Sequence, residues 1–471
     1  MGFRKEKDSL GFVEVPDSAL WGAQTQRAID NFPISGRRFP RQFIAALAHL
    51  KRACAEVNLA LKRLEPPVVQ AIVDASDAVS AGRHDDQFPL DVFQTGSGTS
   101  TNMNMNEVLA NLASESMGGR RGEYKPVHPN NHVNKGQSSN DIIPTTCHLS
   151  ALLAWSQDLK PALEKLRKSL AAKAKEFDKV IKLGRTHLMD AMPVRLSQPF
   201  AGYARQIAKG IDQVDRAATG LHELAIGGTA VGTGINSHPK FASMVCEILS
   251  KRLTIEVREA EDHFEAQGAR DDMVMVSGAL KGLACSFMKI ANDIRWMGSG
   301  PLGGLAEIQI PDLQPGSSIM PGKVNPVMSE VMTQVAAQVI GNDAAIAIGG
   351  QGGAFELNVM IPVMVDNLLS SMSLMANTAK VFAEKCVDGL APNEERCEEL
   401  AQKSLSLATV LNPLIGYEKA AELVKEAFKK KVGVKQLALE KKLITPEQAE
   451  KAFDLRKMTE PGETIGGGGG G

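Results

Sequence analysis

This 471-residue sequence contains few aromatic residues and has almost no net charge. Only 5 % of the residues are aromatic, whereas β-sandwich proteins need strands rich in Tyr, Trp and Thr. The sequence has 53 Lys and Arg residues and 54 Asp and Glu residues, so its formal net charge is −1. This balance excludes a basic nucleic-acid-binding surface or a polybasic membrane anchor as the main function. The 43 % hydrophobic and 23 % charged residues are typical of a globular protein.

Signals for export, anchoring and disulfide formation are also lacking. The first fifteen residues contain no apolar signal-peptide core, and Gly2 is not followed by the Ser or Thr of a myristoylation site. The best candidate for a membrane span, residues 331–350, is interrupted by polar residues, so we expect a buried helix there. The six cysteines form no C-x-x-C pair: Cys54, Cys147, Cys246, Cys285, Cys386 and Cys397. We therefore expect reduced core cysteines and a cytoplasmic protein with no membrane partner.

Helical periodicity dominates the middle of the chain. Apolar residues recur every three or four positions along four stretches: Phe43 to Leu61, Leu159 to Ile181, Leu280 to Met297, and Met328 to Val339. Long helices bury such apolar stripes by packing lengthwise on one another, and subunit association buries further stripes. The pattern predicts an all-α fold with a central bundle of long helices and smaller terminal domains.

The predicted domain bounds are 1–137 for the N-terminal domain, 138–393 for the central bundle and 394–471 for the C-terminal domain. In the last of these, Thr445 followed by Pro446 is a strong helix-start signal, because Thr caps a helix and Pro suits its first position. The final six glycines, 466–471, are predicted to be disordered.

Segments rich in Gly, Ser, Thr, Asn and His interrupt the helical pattern at four places: 95–106, 128–141, 184–187 and 316–325. Their number indicates that loops and helix ends converge on a polar ligand. The glycines of 316–323 are spaced wrongly for a P-loop, and the G-x-G-x-x-G at 298–303 follows a predicted helix and not a strand. His128 and His132 have helical metal-ligand spacing, but Pro129 disfavours a helix there and no third ligand lies nearby. No metal and no cofactor are expected.

One of these segments favours carboxylate binding. Lys323 and Asn325 precede Pro326, which favours an extended residue before it and starts a helix. A cation and an amide donor beside a helix N-terminus form a natural carboxylate site. The alternative, a solvated loop lysine, is less favoured beside two serines. Thr186 and His187 add a hydroxyl next to an imidazole, although a lone histidine is often structural.

The same segments resemble a known family. Gly316–Asn325 resembles the signature of the fumarase/aspartase superfamily, and the resemblance runs from about residue 4 to 460 through four further motifs: 97–107, 128–131, 138–141 and 184–187. Thr186-His187 and Pro321-Gly322-Lys323 are similar to class II fumarate hydratases. Aspartate ammonia-lyases typically have Gln in place of this His and Ala in place of this Gly. Three residues depart from the common pattern: Lys125, Asn131 and Gly136.

The resemblance implies a homotetramer with active sites shared between chains, and reversible hydration of fumarate to (S)-malate without metal in the tricarboxylic acid cycle. Removing a proton beside a carboxylate creates an aci-carboxylate, which requires preorganised donors and a cation. By resemblance, Ser317 is the base, Lys323 meets the developing charge, and His187 paired with Glu330 handles the water. Ser is a poor base unless its alkoxide is stabilised, so Lys323 and loop amides must lower its pKa.

The resemblance also implies two sets of binding residues. The substrate ligands would be Ser97, Gly98, Thr99, Ser138, Ser139, Asn140, Thr186, Ser318, Val324 and Asn325. An accessory carboxylate site would comprise Lys125, His128, Pro129, Asn130 and Asn131. Two alternatives stay open from the sequence: an aspartate ammonia-lyase, and a structural member of the superfamily that keeps the fold without its chemistry. For Glu330 the alternative to a catalytic role is an exposed first-turn residue that the helix dipole favours.

Overall fold

The computed structural model describes residues 2–462, which divide into two compact units. The first unit comprises residues 2–161, 210–284 and 335–377. The second comprises residues 162–209, 285–334 and 378–462. The three-domain division of the sequence stays a prediction, and the predicted disorder of the last six glycines lies outside the described residues.

Helices form most of the described chain, which confirms the all-α prediction. In chain order they are α1 (Ala23–Asn31), α2 (Arg41–Ala60), α3 (Pro66–Ser80), α4 (Thr99–Ser116), α5 (Ser139–Leu153), α6 (Lys160–Glu176), α7 (Ser197–Ala217), α8 (Phe241–Leu253), α9 (His263–Gly268), α10 (Asp271–Met297), α11 (Val327–Gly350), α12 (Ile361–Lys385), α13 (Glu394–Lys403), α14 (Asn412–Ile415), α15 (Tyr417–Lys430), α16 (Val434–Glu440) and α17 (Pro446–Ala452). Two short π-helices, Pro129–Val133 and Ala154–Leu159, lie before and after α5.

The strands of the described chain are short and pair only in twos. They are β1 (Phe3–Asp8), β2 (Gly11–Pro16), β3 (Ile181–Thr186), β4 (Met189–Arg195), β5 (Glu223–Leu224), β6 (Arg258–Glu259), β7 (Ile308–Gln309), β8 (Gly353–Ala354), β9 (Leu357–Asn358) and β10 (Ala391–Pro392). The pairs β1–β2, β3–β4, β8–β9 and β10–β7 are antiparallel, and β5–β6 is parallel.

The helix α2 shows how the apolar stripes form the core of the first unit. Phe43, Leu47, Leu50 and Val57 fall on one face and are completely buried. This face packs on α3, α5 and α8. Each such side chain contributes about 1.5–3 kcal/mol by leaving water, so the stripe specifies the position of α2.

The longest helices pack side by side, as the predicted bundle requires. A Cβ atom on Gly210 of α7 would lie 2.4 Å from Leu283 Cδ1 of α10, so glycine permits this close approach. The Ser277 hydroxyl of α10 donates to Asp343 Oδ1 of α11 at 2.8 Å. Asn342 of α11 donates to the Ser371 hydroxyl of α12 at 2.9 Å, so buried polar pairs also fix the register of the bundle.

Two of these helices, α10 and α11, are long and apolar enough to span a membrane by length and composition. Helices in protein cores meet the same criteria, and the Ser277–Asp343 pair lies between these two. The predicted helix at 331–350 is confirmed. Only 33 % of the most apolar 18-residue stretch of α11 is buried within one chain, so the expectation of a buried helix is met only in part.

Several expectations are wrong in detail. The stripe from Leu159 to Ile181 outlasts its helix, because α6 ends at Glu176, Phe177 lies in a 3-10 turn and Ile181 begins β3. A buried apolar residue satisfies the helical period whether or not the helix continues. All six cysteines are free, but Cys285 is exposed, so the expectation of core cysteines holds for the other five.

Candidate active site

Two helix N-termini lie side by side in the first unit. The helices α4 and α5 begin immediately after Gly98 and Ser138. Asn102, in the first turn of α4, donates to the Ser139 hydroxyl at 2.9 Å. Gly98 has a left-handed backbone (φ 73°), and a Cβ atom there would lie 2.8 Å from Ile143 Cγ2 of α5. Both conformation and space therefore require glycine at this junction.

The start of α5 is held by a capping box. Ser138 Oγ accepts from the Asn140 amide at 3.2 Å, and the Ser138 amide donates to Asp141 Oδ1 at 2.9 Å. The other Asp141 oxygen accepts from the amides of Gly227 and Thr229. Burial raises the pKa of the Asp141 carboxyl, and these amides oppose the rise by stabilising its charge. The box leaves Ser139 and Asn140 in a defined first turn.

The hydroxyls near these helix starts are positioned by one another and by the backbone. Ser97 Oγ lies 2.8 Å from Thr99 Oγ1, and Ser97 is buried. The side-chain amide of Asn140 donates to the Ala230 carbonyl at 2.8 Å. Unpaired amides at a helix N-terminus carry partial positive charge, so two adjacent N-termini with hydroxyls suit an anionic carboxylate.

A hairpin in the second unit presents Thr186 and His187. Thr186 pairs with Met189 across β3 and β4, which leaves His187 and Leu188 as the two-residue turn. Their φ angles are 56° and 60°, as in the type I′ turn that matches the twist of a hairpin. The sequence analysis did not predict these strands. The turn exposes the His187 side chain at the tip.

A buried carboxylate anchors the base of this hairpin. Arg185 donates to Glu307 Oε1 at 2.9 Å, and Lys182 lies 3.2 Å from Glu307 Oε2. The Glu307 side chain is completely buried. Burial lowers the pKa of Lys182, which Glu307 opposes. Sequence reasoning missed Glu307, because nothing in its local motif connects it to residues more than a hundred positions earlier.

The loop 316–325 holds Ser317 in a specific setting. Ser317 Oγ accepts hydrogen bonds from the amides of Ile319, at 3.2 Å, and Met320, at 3.1 Å. Two amides aimed at one hydroxyl oxygen favour its deprotonated form over its protonated form. Ser318, in contrast, is exposed beside them.

The same loop is closed across its base. The Gly316 amide donates to the Lys323 carbonyl at 2.7 Å, and the Asn325 side-chain amide donates to the Gly316 carbonyl at 2.8 Å. Lys323 and Val324 are exposed. The helix α11 begins two residues after Asn325, which confirms the predicted helix start, and Glu330 lies in its first turn.

The structure does not join all of the predicted catalytic residues. Ser317, Lys323 and Glu330 lie along one continuous stretch, and His187 lies on the hairpin. Within residues 2–462, no hydrogen bond links His187 to Glu330. Their pairing therefore stays a prediction.

The predicted accessory segment forms a π-helix, Pro129–Val133, so the expectation that this stretch would not be helical is wrong. His128 caps it, because its Nδ1 accepts from the amides of Asn130 and Asn131. Burial lowers the pKa of His128. The His128 amide in turn donates to His132 Nδ1, so both rings serve the local turn. Lys125 is exposed two residues before Val127, which is buried.

Comparisons with known proteins identify the family of this chain. A family model described as lyase matches residues 11–341, and one described as fumarase C C-terminus matches residues 407–460. The class II fumarate hydratase of Mycobacterium tuberculosis is 54 % identical, covering 96 % of this chain and 94 % of that protein. The class II fumarate hydratase of Corynebacterium glutamicum is 53 % identical, covering 97 % and 96 %. The crystal structure of the class II fumarase of Schistosoma mansoni superimposes with a TM-score of 0.94, at 39 % identity, over 97 % of this chain and 99 % of that one.

Matches of this extent define the chain as a lyase with the all-α fold predicted for it. Within the lyases, it belongs to the class II fumarate hydratase family. The resemblance seen in the sequence motifs is thereby confirmed.

Proposed function

We propose that this chain catalyses the reversible hydration of fumarate to (S)-malate in the tricarboxylic acid cycle. The observation that carries the proposal is the pair of adjacent helix N-termini at Gly98 and Ser138. A dicarboxylate requires a fixed set of donors, and this junction provides amides and hydroxyls in a preorganised arrangement. The proposed ligands here are Ser97, Gly98, Thr99, Ser138, Ser139 and Asn140.

The proposed base is Ser317. It removes the C3 proton of malate, and the resulting aci-carboxylate is stabilised by Lys323 with Asn325, Val324 and Ser318 as neighbouring ligands. The two amides that donate to Ser317 Oγ support this role, because they stabilise an alkoxide before substrate arrives.

The proposed acid is His187, with Thr186 as a ligand beside it and Glu330 as its partner. The hydroxyl of malate leaves as water after His187 supplies a proton, and the reverse steps hydrate fumarate. The two-residue turn supports this assignment, since it presents the imidazole at an exposed tip anchored through Arg185 and Glu307.

We further propose a cytoplasmic homotetramer with sites shared between chains. The long helices support association, because large apolar side chains remain exposed on a single chain. Met275 is 61 % exposed, Trp296 is 51 % exposed and Ile348 is 65 % exposed. Association would cover this apolar surface.

The segment of Lys125, His128, Pro129, Asn130 and Asn131 is proposed to bind a carboxylate without taking part in turnover. His128 Nδ1 is occupied by backbone amides, so its other nitrogen is the one available to a ligand. His128→Asn should change kcat by less than about twofold, whereas a catalytic acid–base group contributes about a hundredfold or more. Steady-state hydration rates at saturating fumarate measure this. A loss on the catalytic scale would place His128 in the reaction.

A pair of assays tests the proposed reaction. Purified protein is mixed with fumarate and the loss of fumarate absorbance is followed, and aspartate is then tested for ammonia release. Fumarate loss without ammonia release is the expected result. Ammonia release from aspartate would favour the ammonia-lyase, and a folded protein inactive in both assays would favour a structural member of the family.

A further inference from the structure

A buried lysine lies behind the segment that leads into α5. Lys51 projects from α2 and is completely buried. Its ammonium donates to Asn134 Oδ1 and to Gln137 Oε1, both at 2.9 Å. Both partners are neutral amides, whereas most buried charges in proteins are paired with an opposite charge. The two ionisable groups that act on Lys51 are Cys54 of the same helix and Asp141 of α5.

A hydrogen-bonded network connects this ammonium to the helix start. Asn134 Oδ1 also accepts from the amides of Asn102 and Asn106 on α4. The same Asn102 amide donates to the Ser139 hydroxyl. Gln137 precedes Ser138, the cap of α5, and its backbone carbonyl accepts from the Asn134 amide at 3.2 Å. Lys51 is thus connected to Asn102 through the side chain of Asn134. It is connected to the cap through Gln137, the residue before Ser138.

The network explains the position of the segment but not the charge at its centre. A neutral donor could satisfy Asn134 and Gln137 without the cost of desolvating an ammonium. The positive charge of a protonated Lys51 has a further consequence. It raises the electrostatic potential beside the N-termini of α4 and α5, which favours binding of an anion there.

We propose that Lys51 is a positioning residue whose ammonium, held by the side chains of Asn134 and Gln137, supplies positive charge that favours binding of the dicarboxylate substrate. This inference rests on the proposed function of the α4–α5 junction. Lys51 does not touch the reacting atoms, and Lys323 is the proposed partner of the charge that develops in the transition state. Loss of Lys51 is therefore expected to raise KM, with a smaller effect on kcat.

Three variants separate charge from packing. Lys51→Met removes the charge at similar volume. Gln137→Glu keeps the oxygen that accepts from Lys51 but places a negative charge beside it. Gln137→Met is its neutral counterpart, which loses the hydrogen bonds alone. At pH 6, where the Lys51 amine is protonated, we expect KM for fumarate and for malate to rise about tenfold or more in Lys51→Met and Gln137→Glu, and by less than about threefold in Gln137→Met.

A buried lysine of the second unit provides a matched control. Lys173 donates to Glu176 and to the Leu390 carbonyl, so its charge is already paired. Lys173→Met should lower the melting temperature and leave KM within about twofold of the parent. Calorimetric titration with succinate, a dicarboxylate that does not react, should show the same ratios in affinity as the KM values.

The outcomes are distinct. A parent that hydrates fumarate, with KM in Lys51→Met and Gln137→Glu within twofold of the parent, overturns the inference and leaves the proposed function standing. An increase in the KM of Gln137→Met as large as that of Gln137→Glu also overturns the inference, because lost hydrogen bonds and packing would then account for the effect without charge. If Lys51→Met does not fold, the two Gln137 variants decide. A parent that neither turns over fumarate nor binds succinate overturns both proposals.

Discussion

The start of α5 and the loop 316–325 are both rich in Ser, Gly and Asn, but different contacts hold their backbones. At the start of α5, a capping box, the buried Asp141 and the Lys51 network hold the backbone from several elements. The loop is held mainly across its own base, and Ile319 at its centre is 84 % exposed. The proposed binding groups at the start of α5 are thus held by several elements, whereas the proposed base lies on a loop held mainly by its own residues.

This difference has a physical reason. Binding donors are effective when they need no reorganisation, so burial and multiple hydrogen bonds suit them. A loop with few buried contacts opens at low free-energy cost, which allows substrate to enter before the reacting groups meet it. Composition alone does not distinguish the two segments, because Ser and Asn serve both as caps and as loop residues.

The largest expected effect comes from the exposed side of this comparison. Lys323→Met should lower kcat/KM about a thousandfold or more, because it removes the proposed charge partner of the aci-carboxylate. Its fold should persist, since the side chain is exposed. Hydration kinetics together with circular dichroism test this. Activity within tenfold of the parent would remove Lys323 from the mechanism.

The two adjacent serines of the loop have different proposed roles. Ser317→Ala should lower kcat by about a hundredfold or more with little change in KM, because a base acts on the chemical step. Ser318→Ala is the matched control in the same loop, and it should act mainly on KM. Only Ser317 accepts the amides of Ile319 and Met320. The reverse pattern of kinetic constants would transfer the role of base to Ser318.

At the junction of α4 and α5, Gly98→Ala should both raise KM and lower the free energy of unfolding. The new Cβ atom would adopt an unfavourable φ and press on Ile143, for a loss of about 1–3 kcal/mol in the free energy of unfolding. Gly118→Ala is the control, because Gly118 has a similar φ of 84° but open space around its Cβ position. KM should rise in Gly98→Ala alone. Equal effects of the two substitutions would show that strain, and not the α4–α5 contact, is responsible.

The smallest expected effect is a pH dependence from Lys51. Burial lowers the pKa of Lys51 to about 7, although Cys54 and Asp141 oppose the decrease. Above this pH the folded chain loses a proton that the unfolded chain keeps until its ordinary pKa of about 10.4, so rising pH favours the folded state across that window. The melting temperature of the parent relative to Lys51→Met should therefore increase between pH 6.5 and pH 9. A constant difference would contradict this assignment.

The sequence predicted many local features correctly. The capping signal at Thr445 and Pro446 is followed by α17, in which Thr445 and Gln448 form a capping box. The stripe from Phe43 to Leu61 corresponds to α2. These features depend on neighbours within one or two turns, so the local pattern contains the information.

Other features depend on contacts between distant segments. The hairpin of β3 and β4 begins where a helical stripe continues, and Glu307 reaches it from a separate part of the chain. Lys51 lies between Leu50 and Arg52 in α2, and its partners are 83 and 86 positions away. Nothing in the surrounding sequence indicates that this lysine is buried behind the proposed carboxylate site.

Most of the helices, the family and the positions of the polar segments follow from the sequence, because periodicity, capping and motif spacing are local properties. Which of those segments are held by several elements and which are exposed depends on the folded chain. Folding also brings two helix N-termini together at Gly98 and places a buried ammonium behind them. Burial and electrostatic potential are sums over residues brought together by folding, so they become defined only once the chain has packed.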